Sequence, residues 1–245
     1  MKGPSVKGTV ALVTGANKGI GLEIARQLGR KGMIVLLGAR DEGRGREAAE
    51  KLRADGVDAR SIQLDVTSLE TIDRAAHRIE KEFGRLDVLV NNAGIFIDDS
   101  PPSGLAMEVL RRTYETNFFG PVAVTQAMLP LLRRSLAGRI VNMSSGLGSL
   151  TQTSDPGWAF SHLNLLAYNS SKTALNAATV EFAKELRGTL VKVNSADPGY
   201  TATDMNHHMG TRSVEQGARV AARLATLPDD GPTGGFFDEN GVLPW

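Results

Sequence analysis

The sequence predicts an α/β protein built on a doubly wound parallel sheet with helices on both faces. Three observations predict it. Short apolar runs alternate with longer amphipathic segments, the pattern of successive βαβ units. The runs are nearly continuous in apolar residues, as strands covered on both faces are. The first run leads directly into a glycine-rich turn that opens a helix. The 245 residues, 41% hydrophobic and 22% charged, suit one large domain, here taken as residues 1–245.

In order, strands are expected over residues 9–13, 33–37, 59–64, 86–91, 139–143 and 190–196. Helices are expected over 21–30, 45–55, 69–83 and 166–186. A long helix should start near Ala106 and a second should end near Ser135. No internal repeat or low-complexity linker interrupts this series. The tail from Pro228 to Trp245 is rich in Gly, Pro and Asp and is expected to fold back on the body.

Composition excludes several functions. The net charge of +1, with no basic stripe, argues against nucleic acid as a partner. The absence of cysteine excludes disulfides, thiolate catalysis and Cys-type zinc sites. No apolar run approaches the roughly 20 residues that span a bilayer. Met1 to Gly8 is short and polar, without the apolar core of a signal peptide, so a cytoplasmic location is expected.

Thr14-Gly15-Ala16-Asn17-Lys18-Gly19-Ile20-Gly21 lies between the first strand and the first helix. That is the context of a dinucleotide-binding turn. Its glycines allow a tight turn and close approach to a pyrophosphate, which then faces a helix N-terminus. The spacing is G-x-x-x-G-x-G rather than the common G-x-G-x-x-G. Elsewhere, Tyr168 and Lys172 stand four apart in a helical segment and therefore share a face. A free Tyr titrates near about 10, and bringing it near 7 takes roughly 4 kcal/mol. An adjacent ammonium and a cationic cofactor ring are expected to supply that, making Tyr168 a general acid and base.

This glycine spacing and the Tyr168/Lys172 pair resemble the short-chain dehydrogenase/reductase family in its short form, over nearly the whole chain. Asn91-Asn92-Ala93-Gly94 resembles its NNAG motif. Asn117, in Thr116-Asn117-Phe118-Phe119-Gly120, matches its structural and catalytic Asn. Val141-Asn142-Met143-Ser144-Ser145 resembles the segment with its catalytic Ser. Pro198-Gly199-Tyr200-Thr201-Ala202-Thr203 is similar to its P-G-x-x-x-T cofactor loop. The resemblance implies a single Rossmann-type catalytic domain.

It also implies a nicotinamide cofactor held by Gly15, Asn17, Lys18, Gly19, Ile20, Gly21, Asn92, Ala93, Gly94, Pro198, Gly199, Thr201 and Thr203. Asp65 and Val66 correspond to the adenine contact; alone, Asp65 reads equally well as a helix N-cap. An acid at the end of the second strand binds the ribose 2′-OH of NAD, whereas a nearby Arg accommodates the 2′-phosphate of NADP. The NAD-type acid would fall at Ala39. Arg40 follows it and Lys18 adds a second cation, so NADP(H) is expected. Asp41 is the opposing feature, since it could bind a ribose instead.

By the same resemblance, Tyr168 protonates a developing alkoxide, and Lys172 depresses the Tyr and binds the nicotinamide ribose. Ser145, preferred over Ser144, donates to the carbonyl oxygen. Asn117 holds a helix distortion and a water leading to Lys172. The implied activity is NADPH-dependent reduction of aldehydes or ketones. Alternatives are an alcohol or hydroxysteroid dehydrogenase running oxidatively, and a non-catalytic NADPH-binding regulator.

Tyr168 follows Ser145 by 23 positions, against about a dozen in many short members. The extra stretch, about 148–165, resembles a shortened form of the insertion in monomeric carbonyl reductases. Trp158 and Phe160 are expected to wall the substrate pocket. Residues about 200–215 correspond to a mobile lid. Quaternary state stays open between monomer and homodimer, with a homotetramer not excluded. His207-His208 lacks an acidic cluster and is not expected to bind metal. Met107, Met128, Met143 and Met205 read as core filler.

Overall fold

A computed structural model describes residues 8–97 and 100–245. The polar stretch before Gly8 lies outside the described residues. Seven strands form one parallel sheet in the order β3-β2-β1-β4-β5-β6-β7. They are β1 (Val10–Thr14), β2 (Ile34–Ala39), β3 (Ala59–Gln63), β4 (Val88–Asn91), β5 (Arg139–Met143), β6 (Lys192–Ala196) and β7 (Phe236–Phe237). The helices are α1 (Gly19–Arg30), α2 (Glu42–Ala54), α3 (Leu69–Phe83), α4 (Met107–Tyr114), α5 (Gly120–Leu132), α6 (Leu150–Thr153), α7 (Leu166–Glu185) and α8 (Val214–Leu224).

Strand alternation sends neighbouring side chains to opposite faces. Ala11 and Val13 join Ile24 and Leu28 of α1, Leu52 of α2 and Ala218 of α8 in one core. Val10 and Leu12 join Ile72 of α3, Met128 of α5 and Ala183 in the other. This two-sided burial is why the strands read as unbroken apolar runs.

The helix ends follow local chemistry. The Asp41 carboxylate accepts the Arg44 amide at 2.9 Å and starts α2. Ser68 starts α3 and Gly84, at φ +70°, ends it. α2 begins three residues earlier than expected because Asp41 supplies this cap. The Ser213/Gln216 capping box starts α8, an element the strand-and-helix series above omits. The two helices expected after Ala106 are one continuous rod, α4 and α5, joined by a π-helical turn at Glu115–Phe119. The tail does fold back, and does more than that: β7 pairs with β6, and Trp245 stacks on Phe236 at 5.6 Å.

The methionine expectation needs correction. Met128 and Met143 are buried, but Met107 and Met205 are exposed, because their segments lie outside the two cores.

The chain order reverses between β1 and β4. In open α/β sheets, ligands bind at that switch point, beyond the carboxyl ends of the strands. The motif residues leave the sheet at this edge.

Candidate active site

The glycine turn after β1 is shaped by backbone. Gly15 and Gly19 adopt φ +63° and +57°, which side chains strain to follow. A Cβ on Gly15 would lie 3.0 Å from the Ala93 Cα, whereas one on Gly19 would meet open space. The Asn92 amide side chain donates to Thr14 O at 2.9 Å, and the Asn92 and Ala93 amides donate to Thr14 Oγ1 at 3.0 Å. The ends of β1 and β4 are thereby locked together. No side chain caps α1, so its first amides point outward from the turn. An open, glycine-lined turn at an uncapped helix N-terminus fits a pyrophosphate. Asn17, Ile20 and Gly21 belong to the same turn.

At the end of β2, Ala39 is buried and Arg40 is exposed. Asp41 is committed to the α2 cap, and that hydrogen bond to Arg44 holds its carboxyl below the usual range. Lys18 pairs with Asp204, 2.5 Å away, across the mouth of the cleft, and His208 reaches the same carboxylate at 3.0 Å. A cavity of about 380 Å³ beside this pair is lined by Lys18, Gly19, Leu22, Arg26, Thr203 and Asp204. Asp65 does not cap α3. Its carboxylate accepts from the Thr67 amide and hydroxyl at 2.9 and 2.8 Å, and Ser68 is the cap. Val66 is buried beneath it, against Gly120.

The other half of the site is packed. Asn117 is fully buried in the π-helical turn. Its Oδ1 accepts from the Ile95 amide at 2.8 Å, and its Nδ2 donates to Ile95 O at 2.9 Å and Ser171 Oγ at 3.1 Å. π-Helical turns concentrate at functional sites. Lys172 is buried on α7, and its ammonium donates to Met143 O at 2.8 Å. Its Nζ stands 5.6 Å from the Tyr168 ring centre. Gly94 runs beside both: a Cβ there would lie 3.4 Å from Asn117 Oδ1 and 3.5 Å from Lys172 Nζ. Gly148 lets the loop after β5 press on α7, since a Cβ would lie 2.8 Å from Lys172 Cβ.

Ser145 and Ser144 face different partners. Ser144 is buried against the Lys172 backbone carbonyl. Ser145 Oγ accepts from the Leu147 amide at 3.2 Å and is close enough to the Tyr168 hydroxyl to act on it electrostatically. Phe96 meets the Tyr168 ring edge-on at 5.8 Å.

Electrostatics require one correction. The phenol was expected to be lowered with help from Lys172. Instead burial, reinforced by the charge of Asp197, pushes Tyr168 up to about 12, and the Ser145 hydroxyl opposes them. Lys172 is itself pushed down to about 8 by burial. The chain's own groups favour a protonated Tyr168.

In the loop after β6, Gly199 takes φ +67° and donates to Asp197 Oδ1 at 2.9 Å. Thr201 turns inward: it is buried against Gly217 of α8, and its hydroxyl donates to Pro198 O at 3.0 Å. Thr203 caps the short turn Asp204–Asn206. His207 and His208 both adopt positive φ, and among the described residues no acidic and histidine cluster of metal-binding size occurs.

The stretch after β5 forms α6 and a loop bringing Trp158 against Phe160 at 5.4 Å and Phe160 against Tyr200 at 6.0 Å. Trp158 also lies beside Gly146, 3.3 Å from where a Cβ would sit. Tyr200, Asp197 and Asp204 were missed from sequence. The available signal for Asp197 was a charged residue closing an apolar strand just before Pro198-Gly199.

Comparison with known proteins agrees with this geometry. Residues 9–213 match the family model described as short chain dehydrogenase. The chain belongs to that family. Among short chain dehydrogenases, it is 36% identical to (-)-isopiperitenone reductase of Mentha piperita, over 95% of this chain and 97% of that protein. It is likewise 36% identical to carbonyl reductase 1 of Mus musculus, whose name specifies NADPH, over 96% and 98%. The crystal structure of NADPH-bound carbonyl reductase from chicken fatty liver superposes with a TM-score of 0.85 at 26% identity, covering 98% of this chain and 100% of that one. Both alignments to relatives span more positions than this chain has residues, 307 and 281 against 245, so those relatives carry segments absent here. As a short chain dehydrogenase, this protein is an oxidoreductase. No helix among the described residues is long and apolar enough to cross a membrane.

Proposed function

We propose that this protein is an NADPH-dependent carbonyl reductase acting on small or medium aldehydes and ketones. The observation that carries the reading is Tyr168 with the Lys172 ammonium 5.6 Å from its ring centre and Ser145 on the facing loop, at the same sheet edge as the glycine turn. Bound NADPH supplies the hydride for the carbonyl carbon. The Ser145 and Tyr168 hydroxyls bind the carbonyl oxygen and orient it. Tyr168 gives its proton to that oxygen as negative charge builds there, and the C=O bond becomes CH–OH. Lys172 places a positive charge beside the phenolate left behind and binds the nicotinamide ribose. Asn117 holds the π-helical turn and a water through which Tyr168 regains its proton.

Arg40 and Lys18 take the 2′-phosphate. Ala39 brings no carboxylate to the ribose, and Asp41 is engaged as a helix cap. The glycine turn, Asn92, Ala93 and Gly94 hold the rest of the cofactor, with Pro198, Gly199 and Thr203 closing over it. Thr201 acts from behind, holding that loop on α8. Trp158 and Phe160 supply apolar walls. Preference for NADP(H) supports reduction over the oxidative alternative, since the cofactor ratio sets the direction.

The test is loss of nicotinamide absorbance with NADPH, then NADH, against aldehydes, ketones and diketones. Turnover with NADPH well above NADH is expected. Turnover confined to alcohols with NADP+ would make the protein an oxidative dehydrogenase. Tight NADPH binding without turnover in either direction would make it a regulator. Sedimentation of the same preparation is expected to show monomer or homodimer.

A further inference from the structure

Trp245 has no part in the mechanism above, yet it ties the sheet to the stretch that carries Trp158. β7 pairs with β6 through Phe236 and Ser195. The chain then turns back at once. The Asp238 carboxylate accepts the Asn240 and Gly241 amides at 2.7 and 2.9 Å, and Val242 returns alongside Phe237. The Leu243 amide donates to Phe236 O at 2.8 Å. This hairpin lays the Trp245 ring over Phe236, 5.6 Å between centres and 14° from parallel. Phe236 is buried, so the sheet side of the stack is fixed, while Trp245 stays 39% exposed.

Trp245 also reaches α6. Its O accepts the Thr151 amide at 2.9 Å. Thr151 lies in the first turn of α6, where amides have no partner within the helix. Ser149 meets the next two: its Oγ accepts the Gln152 amide at 3.1 Å and its O the Thr153 amide at 3.0 Å. From α6 the contacts run on to the wall. Gln152 O accepts the Asp155 amide at 3.1 Å, and Asp155 O accepts the Trp158 amide at 3.0 Å. Gln152 Oε1 and Trp158 Cζ2 both stand 3.3 Å from where a Cβ on Gly146 would lie. Gly146 directly follows Ser145.

We propose that Trp245 is a positioning residue for the carbonyl substrate, clamping α6 so that Trp158 is held as a wall beside Ser145. The proposal rests on the reading of Trp158 as a wall of the substrate pocket. α6 needs such a clamp. It has four residues, none of them buried, and a helix that short does not hold itself. Its place is set by its end, through the Ser149 cap and the Trp245 bond. Without the stack on Phe236, Trp245 loses its anchor, the Thr151 amide turns to water, and Trp158 samples more positions. A loosened wall weakens substrate binding in the ground state and the transition state alike, so KM moves and kcat does not.

The chain holds two tryptophans, so replacing Trp245 leaves Trp158 as the one tryptophan emitter. The test compares Trp245→Phe, Trp245→Leu and Trp245→Ala. Phe keeps a ring for the stack, and Leu keeps apolar cover over Phe236 should Ala misfold. Acrylamide quenching of Trp158 is recorded, with NADPH affinity by titration and the kinetics of NADPH-dependent reduction of 4-nitrobenzaldehyde. Quenching is expected to rise about twofold from Phe to Ala, with Leu between them, as the segment loosens. KM for the aldehyde should rise about tenfold in Ala and stay near wild type in Phe, with kcat and NADPH affinity held within about twofold. Equal quenching in all three variants overturns the proposal, because Trp245 then does not seat Trp158. An unmoved KM overturns it too, as does a loss of NADPH affinity in step with KM, which marks general destabilisation. A wild type that turns over no carbonyl would sink the proposed function instead, while quenching still decides whether Trp245 seats the wall.

Discussion

The two ends of the cofactor cleft are built from different materials. The glycine-turn end relies on backbone: positive-φ glycines, an uncapped helix N-terminus and exposed cations. The side chains of Lys18 and Asp204 are 63% and 56% exposed. The Tyr168 end relies on buried polar side chains, among them Asn117, Lys172 and Asn142. Behind it a chain of hydrogen bonds crosses the sheet, from Asn91 to Asn142 at 2.8 Å, to Thr179 at 2.8 Å, to Ser195 at 2.8 Å. Water screens charges at the first end and is excluded at the second. Changes at the open end should therefore alter which cofactor binds. Changes at the packed end should alter chemistry and stability.

The largest expected effect comes from Tyr168→Phe. Removing the donor hydroxyl should lower kcat about 10³-fold, within the range for general acid catalysis, while NADPH affinity by fluorescence titration changes little. Loss of cofactor binding in step with turnover would break the separation between the ends.

The next concerns Lys172. Its folded-state value, about 8, lies below its ordinary 10.5. The cost of burying its charge is fully present below pH about 8 and is relieved as pH rises toward the unfolded value, because the unfolded chain then binds more protons. From about pH 7.5 to 9.5, this group should add about 2 kcal/mol to unfolding free energy in wild type and nothing in Lys172→Met. Urea unfolding at both pH values measures it.

At the open end, Arg40→Ala should lower the NADPH-to-NADH preference in kcat/KM about tenfold, by removing a charge-assisted contact to the 2′-phosphate. Lys18→Ala should do less, since Lys18 already shares an exposed pair with Asp204, worth under about 1 kcal/mol. Equal losses of NADPH and NADH activity would place neither cation on the phosphate.

The smallest effect separates the two readings of Asp41. As the α2 cap, its replacement by Ala should cost about 1 kcal/mol of stability and leave cofactor preference unchanged. A shift toward NADPH would instead make it a ribose ligand.

Much of this was legible along the chain. The strand order of events, the glycine turn, the shared face of Tyr168 and Lys172, and the family all follow from patterns within a few residues. Periodicity and glycine placement are set by local sterics, and a motif carries its own context. The starts of α2 at Asp41 and α8 at Ser213 are local too, since each cap lies three residues from the amide it holds. What tertiary structure alone decided is long-range. Packing of α8 buries Thr201 against Gly217, a contact that no local pattern shows. Met107 and Met205 looked like core, but their segments lie outside both cores. The tail gained β7 because β6 presented a free edge. Above all, the state of Tyr168 depends on burial and on Asp197, 29 positions away in sequence. Desolvation and Coulomb interactions act through space, so the neighbours that set them are brought together only by the fold.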